Sequence, residues 1–335
     1  VRALRMARKV DARTVLLMDG LVEWRNTYAN PRVGDGFLRP APVDVVCCSG
    51  LVDARTLTTF GNTCRPTGLP RIDDRFGESM PRDERAPILV ATANTPAFND
   101  DERERLLSAL AELKQAAHWA RTRLIWRLTD GLADELGVEN HAGLLGDALE
   151  SASAVITTPS TLMVEAMRAG RPCALLHAYA TPLWAPAAWI WQPVDRNVPC
   201  NQDDVTPLAD GLSRWVDSPE RLLRQIVRPT REQLGRQDEC LRLLDASSEG
   251  VRSAELVAEA IVEQARHAPT GSKRVPLRPI ARIPSAKPKR DGRKRVVSIV
   301  PFDHSPIGGV TTWSIRLSDT LERRPDLGYD LHTLL

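Results

Sequence analysis

The sequence is short of the signatures that name a chemistry outright. Its 335 residues hold six cysteines and no C-x-x-C pair, so the spacing of a zinc ribbon or a thioredoxin-type redox pair is missing. Only Cys47 and Cys48 stand together, side by side in an apolar run. Buried free thiols in a reducing compartment are the expectation. No apolar run reaches the roughly 20 residues that span a bilayer, and no signal-peptide pattern is present in the residues given. A cytoplasmic location is expected on these grounds. No strand-like run leads into G-x-G-x-x-G, which argues against a Rossmann dehydrogenase. An excess of charge is missing too. Forty-five basic residues face 43 acidic ones, a net charge of +2, which by itself argues neither for nor against a polyanionic partner. No nucleic-acid partner is expected.

What is present is the make-up of a globular chain, 42% hydrophobic and 26% charged. The length suggests about two to three domains. Apolar runs alternate with helical patterns, which favours parallel α/β architecture. The runs are "TVLLMD", "VDVVCCS", "ILVATA", "RLIWRL", "SAVITT" and "CALLHA". An amphipathic segment runs from Asp100 to about Trp119, opening on Asp100, Asp101 and Glu102, acidic residues suited to a helix N-terminus. "DGLADELG" and the residues after Thr158 predict further helices. Residues 218–266 read as helical throughout, with apolar positions at helical spacing.

The character then changes. Residues 266–295 are rich in Pro, Lys and Arg and lack an apolar face, so they read as an exposed linker. A solvated tether is the plain reading, and a basic patch drawn to anionic lipid headgroups, giving peripheral membrane contact, is the sharper one. A new α/β unit opens after it, with the strand "RVVSIVPF", the turn "DHSPIGGV", an amphipathic helix and the strand "YDLHTLL". The sequence begins at Val1 rather than Met and stops on that strand, and a longer natural product is expected.

The turn "TTPST" after the run at 154–157 is the candidate binding element. Ser160 or Thr161 is placed to cap the next helix by accepting a backbone N–H bond. The free N–H groups of a first helical turn, with nearby hydroxyls, can hold a phosphate. Glu165 lies about one turn further on, where a carboxylate can accept hydrogen bonds from a ribose diol. An ordinary capped helix is the competing reading. No Gly-Lys-Ser/Thr follows, so the turn is not a Walker loop.

These residues carry a family likeness. "ALESASAVITTPSTLMVEAMRAGRPCALL" resembles the nucleotide-binding half of GT-B fold glycosyltransferases, with Glu165, Ala166, Gly170 and Pro172 in the pattern and Ser153 replacing an aspartate. Gly68, Pro70, Arg71 and Asp73 match the crossing between domains in transferases of the capsule and CDP-glycerol type. The tail, with Pro306, Gly308 and Gly309, resembles the N-terminus of family-four glycosyltransferases. The resemblance implies Rossmann-like parallel sheets of GT-B type. Residues 1–75 would be a remnant of the acceptor-side domain and 76–265 the nucleotide-sugar domain. Residues 266–295 would be the linker and 296–335 the start of a second module.

The implied activity is glycosyl or glycerol-phosphate transfer from a nucleotide-activated donor to a glycan or lipid-linked acceptor, in surface polysaccharide synthesis. No metal or other cofactor is implied, the nucleotide-sugar being a substrate. A catalytically inactive nucleotide-sugar scaffold and a UDP-sugar epimerase share the pattern. The resemblance carries phosphate contact to Thr158, Ser160 and Thr161 and ribose contact to Glu165. Arg127, after "LIW", is the candidate cation for the diphosphate, with a solvated strand-end arginine as the alternative. Asp19, ending "TVLLMD", is the candidate base, with a turn-capping aspartate as the alternative. Thr157 stands where many retaining members have a second glutamate. His304 falls in the loop after the tail's first strand, beside the turn of Pro306, Gly308 and Gly309.

Overall fold

The computed structural model describes residues 7, 12–21, 40–75, 82–97, 99–158, 160–176, 219–266, 294–299 and 329–334. They form α/β units built on parallel strands. The first sheet holds β1 (Val15–Leu17), β2 (Val45–Cys48) and β3 (Cys64–Pro66) in that order, with both pairings parallel. β2 is buried on both faces, which explains why "VVCC" shows no polar alternation. Its residues still alternate between faces. Val45 and Cys47 pack with Val257, Ala258, Ala260 and Val262, while Val46 and Cys48 pack with Ala41 and Leu57. Helix α1 (Leu51–Thr59), unread in the sequence, therefore covers one face.

The second sheet has the order β5-β4-β6-β7, again all parallel, from β4 (Ile88–Ala91), β5 (Leu124–Arg127), β6 (Ala154–Thr157) and β7 (Cys173–Leu175). Helix α2 (Asp100–Trp119) has the bounds its sequence suggests. Asn99 caps it by accepting from the Glu102 amide at 2.9 Å, and Leu106, Leu110, Leu113, Ala116 and Ala117 form its buried stripe. Short helices α3 (Leu132–Leu136) and α4 (Leu145–Ser151) follow, then α5 (Leu162–Arg168) after β6.

The helical reading of residues 218–266 needs correcting at two places, residues 228–230 and the stretch after Leu244. Helix α6 spans Pro219–Val227 and α7 spans Arg231–Leu244, but α7 stops where the Asp245 carboxylate accepts from the Ser247 amide and hydroxyl. A short 3-10 helix, Ala246–Glu249, ends at Gly250 with φ 103, and helix α8 (Ser253–Arg266) begins beyond it. The start of α8 is capped from far away in sequence. The Asp73 carboxylate accepts from the amides of Ser253 and Ala254, both at 2.9 Å. Residues 76–265 were expected to be one domain, and α8 at its end packs on the first sheet. The units also share apolar core, since Val52, Leu69 and Ile72 join the second sheet's cluster.

In the tail, β8 (Lys294–Ile299) and β9 (Tyr329–Leu334) pair in parallel. The helix expected between them and the basic linker, with its proposed lipid contact, lie outside the described residues. Cys47, Cys48, Cys173 and Cys240 are buried free thiols and Cys64 is half-buried. Burial pushes the Cys47 thiol up to about 12.

Candidate functional site

Strand ends decide where a ligand can sit in a parallel sheet. The chain leaves β1 through Met18 to Leu21 and leaves β6 through Thr158 to Thr161, and these two exits touch. The Leu21 amide donates to Thr161 Oγ1 at 3.3 Å. Gly20 makes the approach possible, because a Cβ there would lie 2.7 Å from Thr161 Oγ1. Thr161 flanks α5 in helical geometry, with φ −61 and ψ −19, and its side chain makes no capping bond. The capping role expected of it is thus replaced by a contact to the first unit.

The other hydroxyls of the turn are drawn inward. Thr158 is buried and its Oγ1 accepts from the Ala93 amide at 2.7 Å, stitching the exits of β4 and β6 together. The Thr157 hydroxyl donates to the Thr158 carbonyl at 2.9 Å and lies 3.3 Å from Ser160 Oγ. Ser153 holds the Pro87 carbonyl with its amide at 2.8 Å.

Three charged side chains from three segments converge beside this contact. The turn Pro70–Arg75 presents Arg71, whose Nη2 lies 2.9 Å from Glu165 Oε1 on α5. Their side chains are 27% and 10% exposed. Among the described residues, Arg71 Nε is buried with no hydrogen-bond partner. Asp19, at the exit of β1, is an exposed residue, yet the protein around its carboxyl strips enough water to raise its pKa above the ordinary value, with the Arg71 charge opposing that rise. A carboxylate shifted toward neutrality is the better proton acceptor near neutral pH.

Asp19, Thr161 and Glu165 are therefore brought together, around an arginine that sequence reasoning quoted only as part of a crossing pattern. Its place between a proline and an acidic pair was the available signal. Arg127 is elsewhere. It ends β5, the edge strand, and its Nη1 donates to the Gly143 carbonyl at 2.6 Å. It is in register with Ala91, which is in register with Thr157, so β4 separates it from the turn by roughly 10 Å in backbone spacing. His304, Pro306, Gly308 and Gly309 lie outside the described residues. Among the described residues, no group of three or more His, Cys, Asp or Glu could hold a metal ion, and no helix is long and apolar enough to cross a membrane.

No protein-family model matches the chain. No curated protein matches it either. Solved structures show a distant likeness. The pneumococcal O-GlcNAc transferase GtfA, in complex with UDP and GlcNAc, is 11% identical over 78% of this chain and 54% of its own, at a TM-score of 0.44. MnaA of S. aureus with UDP is 13% identical over 80% of this chain and 72% of its own, at 0.47. The wall teichoic acid polymerase TagF is 15% identical over 68% and 60%, at 0.39. The chain spans about half the length of GtfA.

Proposed function

We propose that the two facing units form a nucleotide-sugar-dependent transferase of GT-B type, acting on a glycan or lipid-linked acceptor in the cytoplasm. One observation carries the reading. The C-terminal exits of two parallel sheets meet at Leu21 and Thr161, and Asp19 and Glu165 line that meeting point from opposite units. The C-terminal ends of the strands are where open α/β sheets take their ligands. In the reading, Glu165 accepts from the ribose diol, and Ser160 and Thr161 lie along the phosphates. Asp19 takes the proton of the acceptor hydroxyl as its oxygen bonds to the sugar's anomeric carbon. The bond from that carbon to the diphosphate breaks, and the diphosphate leaves with the electron pair. A glycerol-phosphate donor would instead break within its pyrophosphate and release the nucleoside monophosphate. No metal is invoked, the leaving charge falling to protein donors.

A scaffold that binds donor without turnover is the second reading. Thr157, a closed hydroxyl, stands where a paired carboxylate is often found, and Glu165 is already engaged by an arginine. The test is incubation of the whole protein with UDP-, CDP-, ADP- and GDP-sugars and CDP-glycerol, following nucleotide release. Release that Asp19→Asn abolishes without loss of nucleotide affinity supports the transferase. Affinity without release supports the scaffold, and conversion of a UDP-sugar to its epimer supports an epimerase.

A further inference from the structure

We propose that Arg71 is the anion-binding residue of the cleft, and that it exchanges Glu165 for the donor's diphosphate when a nucleotide binds. The inference deepens the donor-site reading and rests on it. Three observations carry it. Arg71 lies at the meeting of the two units, within electrostatic reach of Asp19 and in contact with Glu165. Its fork is only partly used, because Nη2 meets Glu165 while the buried Nε has no acceptor. Finally, Arg127, at the C-terminal end of β5, is held by the Gly143 carbonyl and is separated from the turn by the width of β4.

The chemistry follows from charge and geometry. Among the described residues, two carboxylates and one guanidinium stand at the meeting of the units, and a diphosphate adds more negative charge. Without a mobile cation the anion would meet Asp19 and Glu165 and be repelled. A guanidinium presents Nε and one Nη as parallel donors, a match for two phosphate oxygens. Turning onto the phosphate supplies the acceptor that Nε lacks, and a buried unpaired donor is costly to keep. The same turn releases the Glu165 oxygen now held by Arg71, so that it can accept from a ribose hydroxyl. One side chain thereby couples recognition of the diol to recognition of the phosphates.

Calorimetric titration of the whole protein with UDP, CDP, ADP and GDP, and with the four matching nucleosides, tests this. For the diphosphate that binds, Arg71→Met should lose about tenfold or more in affinity, the loss of a charge-assisted bidentate contact. The matching nucleoside should bind it within about threefold of wild type. Arg71→Lys keeps the charge and loses the fork, so it should fall between the two, and it serves if Arg71→Met does not fold. Glu165→Gln should weaken nucleoside and diphosphate alike. Equal losses for nucleoside and diphosphate in Arg71→Met, or diphosphate binding as tight as or tighter than wild type, would overturn the inference while leaving the donor site standing. Failure of wild type to bind any of the four diphosphates would sink the donor-site reading, and this inference with it.

Discussion

Helix α5 makes two arginine–carboxylate contacts three residues apart, and they behave as opposites. Where the two units meet, Glu165 contacts Arg71, with side chains 10% and 27% exposed. Arg168 meets Asp245 at 2.9 Å with 4% and 0% exposed. The inner pair is closed by further bonds. Arg168 Nη1 also donates to Ser247 Oγ at 2.6 Å, and that hydroxyl donates to Asp245 Oδ1 at 2.7 Å. The outer pair leaves Arg71 Nε without an acceptor. The pairing is chemically the same, and desolvation separates the two. A buried charge that loses its partner has no water to turn to, so the inner pair is structural. A charge at the edge of a cleft can change partners.

The largest expected effect breaks the inner pair. Asp245→Ala removes the carboxylate that Arg168 meets in the interior and should cost about 3–5 kcal/mol in urea unfolding. The double change Arg168→Met with Asp245→Leu should recover only part of that loss, because the desolvation cost goes with the charges while the buried Ser247 amide and hydroxyl lose the acceptor that Asp245 gives them. Next comes the wall of the same network. Gly68 has φ +76, and a Cβ there would lie 2.3 Å from Ser253 Oγ and 2.7 Å from Asp245 Oδ1. Gly68→Ala should cost about 1–3 kcal/mol by the same measurement.

The outer pair should matter far less for folding. Glu165→Gln keeps the shape and an acceptor for Arg71, and its stability loss should be about 1 kcal/mol or less. A loss equal to that of Asp245→Ala would erase the distinction between the pairs. A third pair extends the series to solvent. Arg13 and Asp44 lie 3.0 Å apart with side chains 40% and 30% exposed. Burial pushes the Asp44 carboxyl up, but hydrogen bonds from the Thr14 hydroxyl and amide, and Arg13, outweigh it and hold the pKa below its ordinary value. A depressed carboxylate contributes stability above its unfolded pKa and loses it as pH falls through the folded one. Thermal melts below pH 4 should therefore show wild type losing its advantage over Asp44→Asn, by about 1 kcal/mol or less.

Much of the fold was legible because it is written in local periodicity. The apolar runs became parallel strands, and α2 has its expected bounds because Asn99 and the acidic first turn sit immediately before a helical stripe. The site was legible in part. Thr157, Thr158, Ser160 and Thr161 do lie at a strand exit facing the other unit, and Asp19 does stand across from them. The direction of each hydroxyl was not legible. Thr161 serves Leu21, 140 residues away in sequence, and Thr158 serves Ala93. The break after Leu244 was missed because Asp245 leaves a helical pattern to hold Ser247 and Arg168. The cap on α8 was missed because its acceptor is 180 residues away.

The sequence by itself determined the α/β class, the place of most of the main strands and of α2, the free state of the described thiols, and a row of hydroxyls before the helix that carries Glu165. Each is a matter of residue type and spacing along a few turns of chain. Tertiary structure alone decided the partners. It placed Arg71 rather than Arg127 beside Asp19 and Glu165, and it buried Arg168 with Asp245 while leaving the neighbouring pair at the cleft. An ionic contact depends on which distant segments approach and how much water they exclude, and neither is encoded in a local pattern.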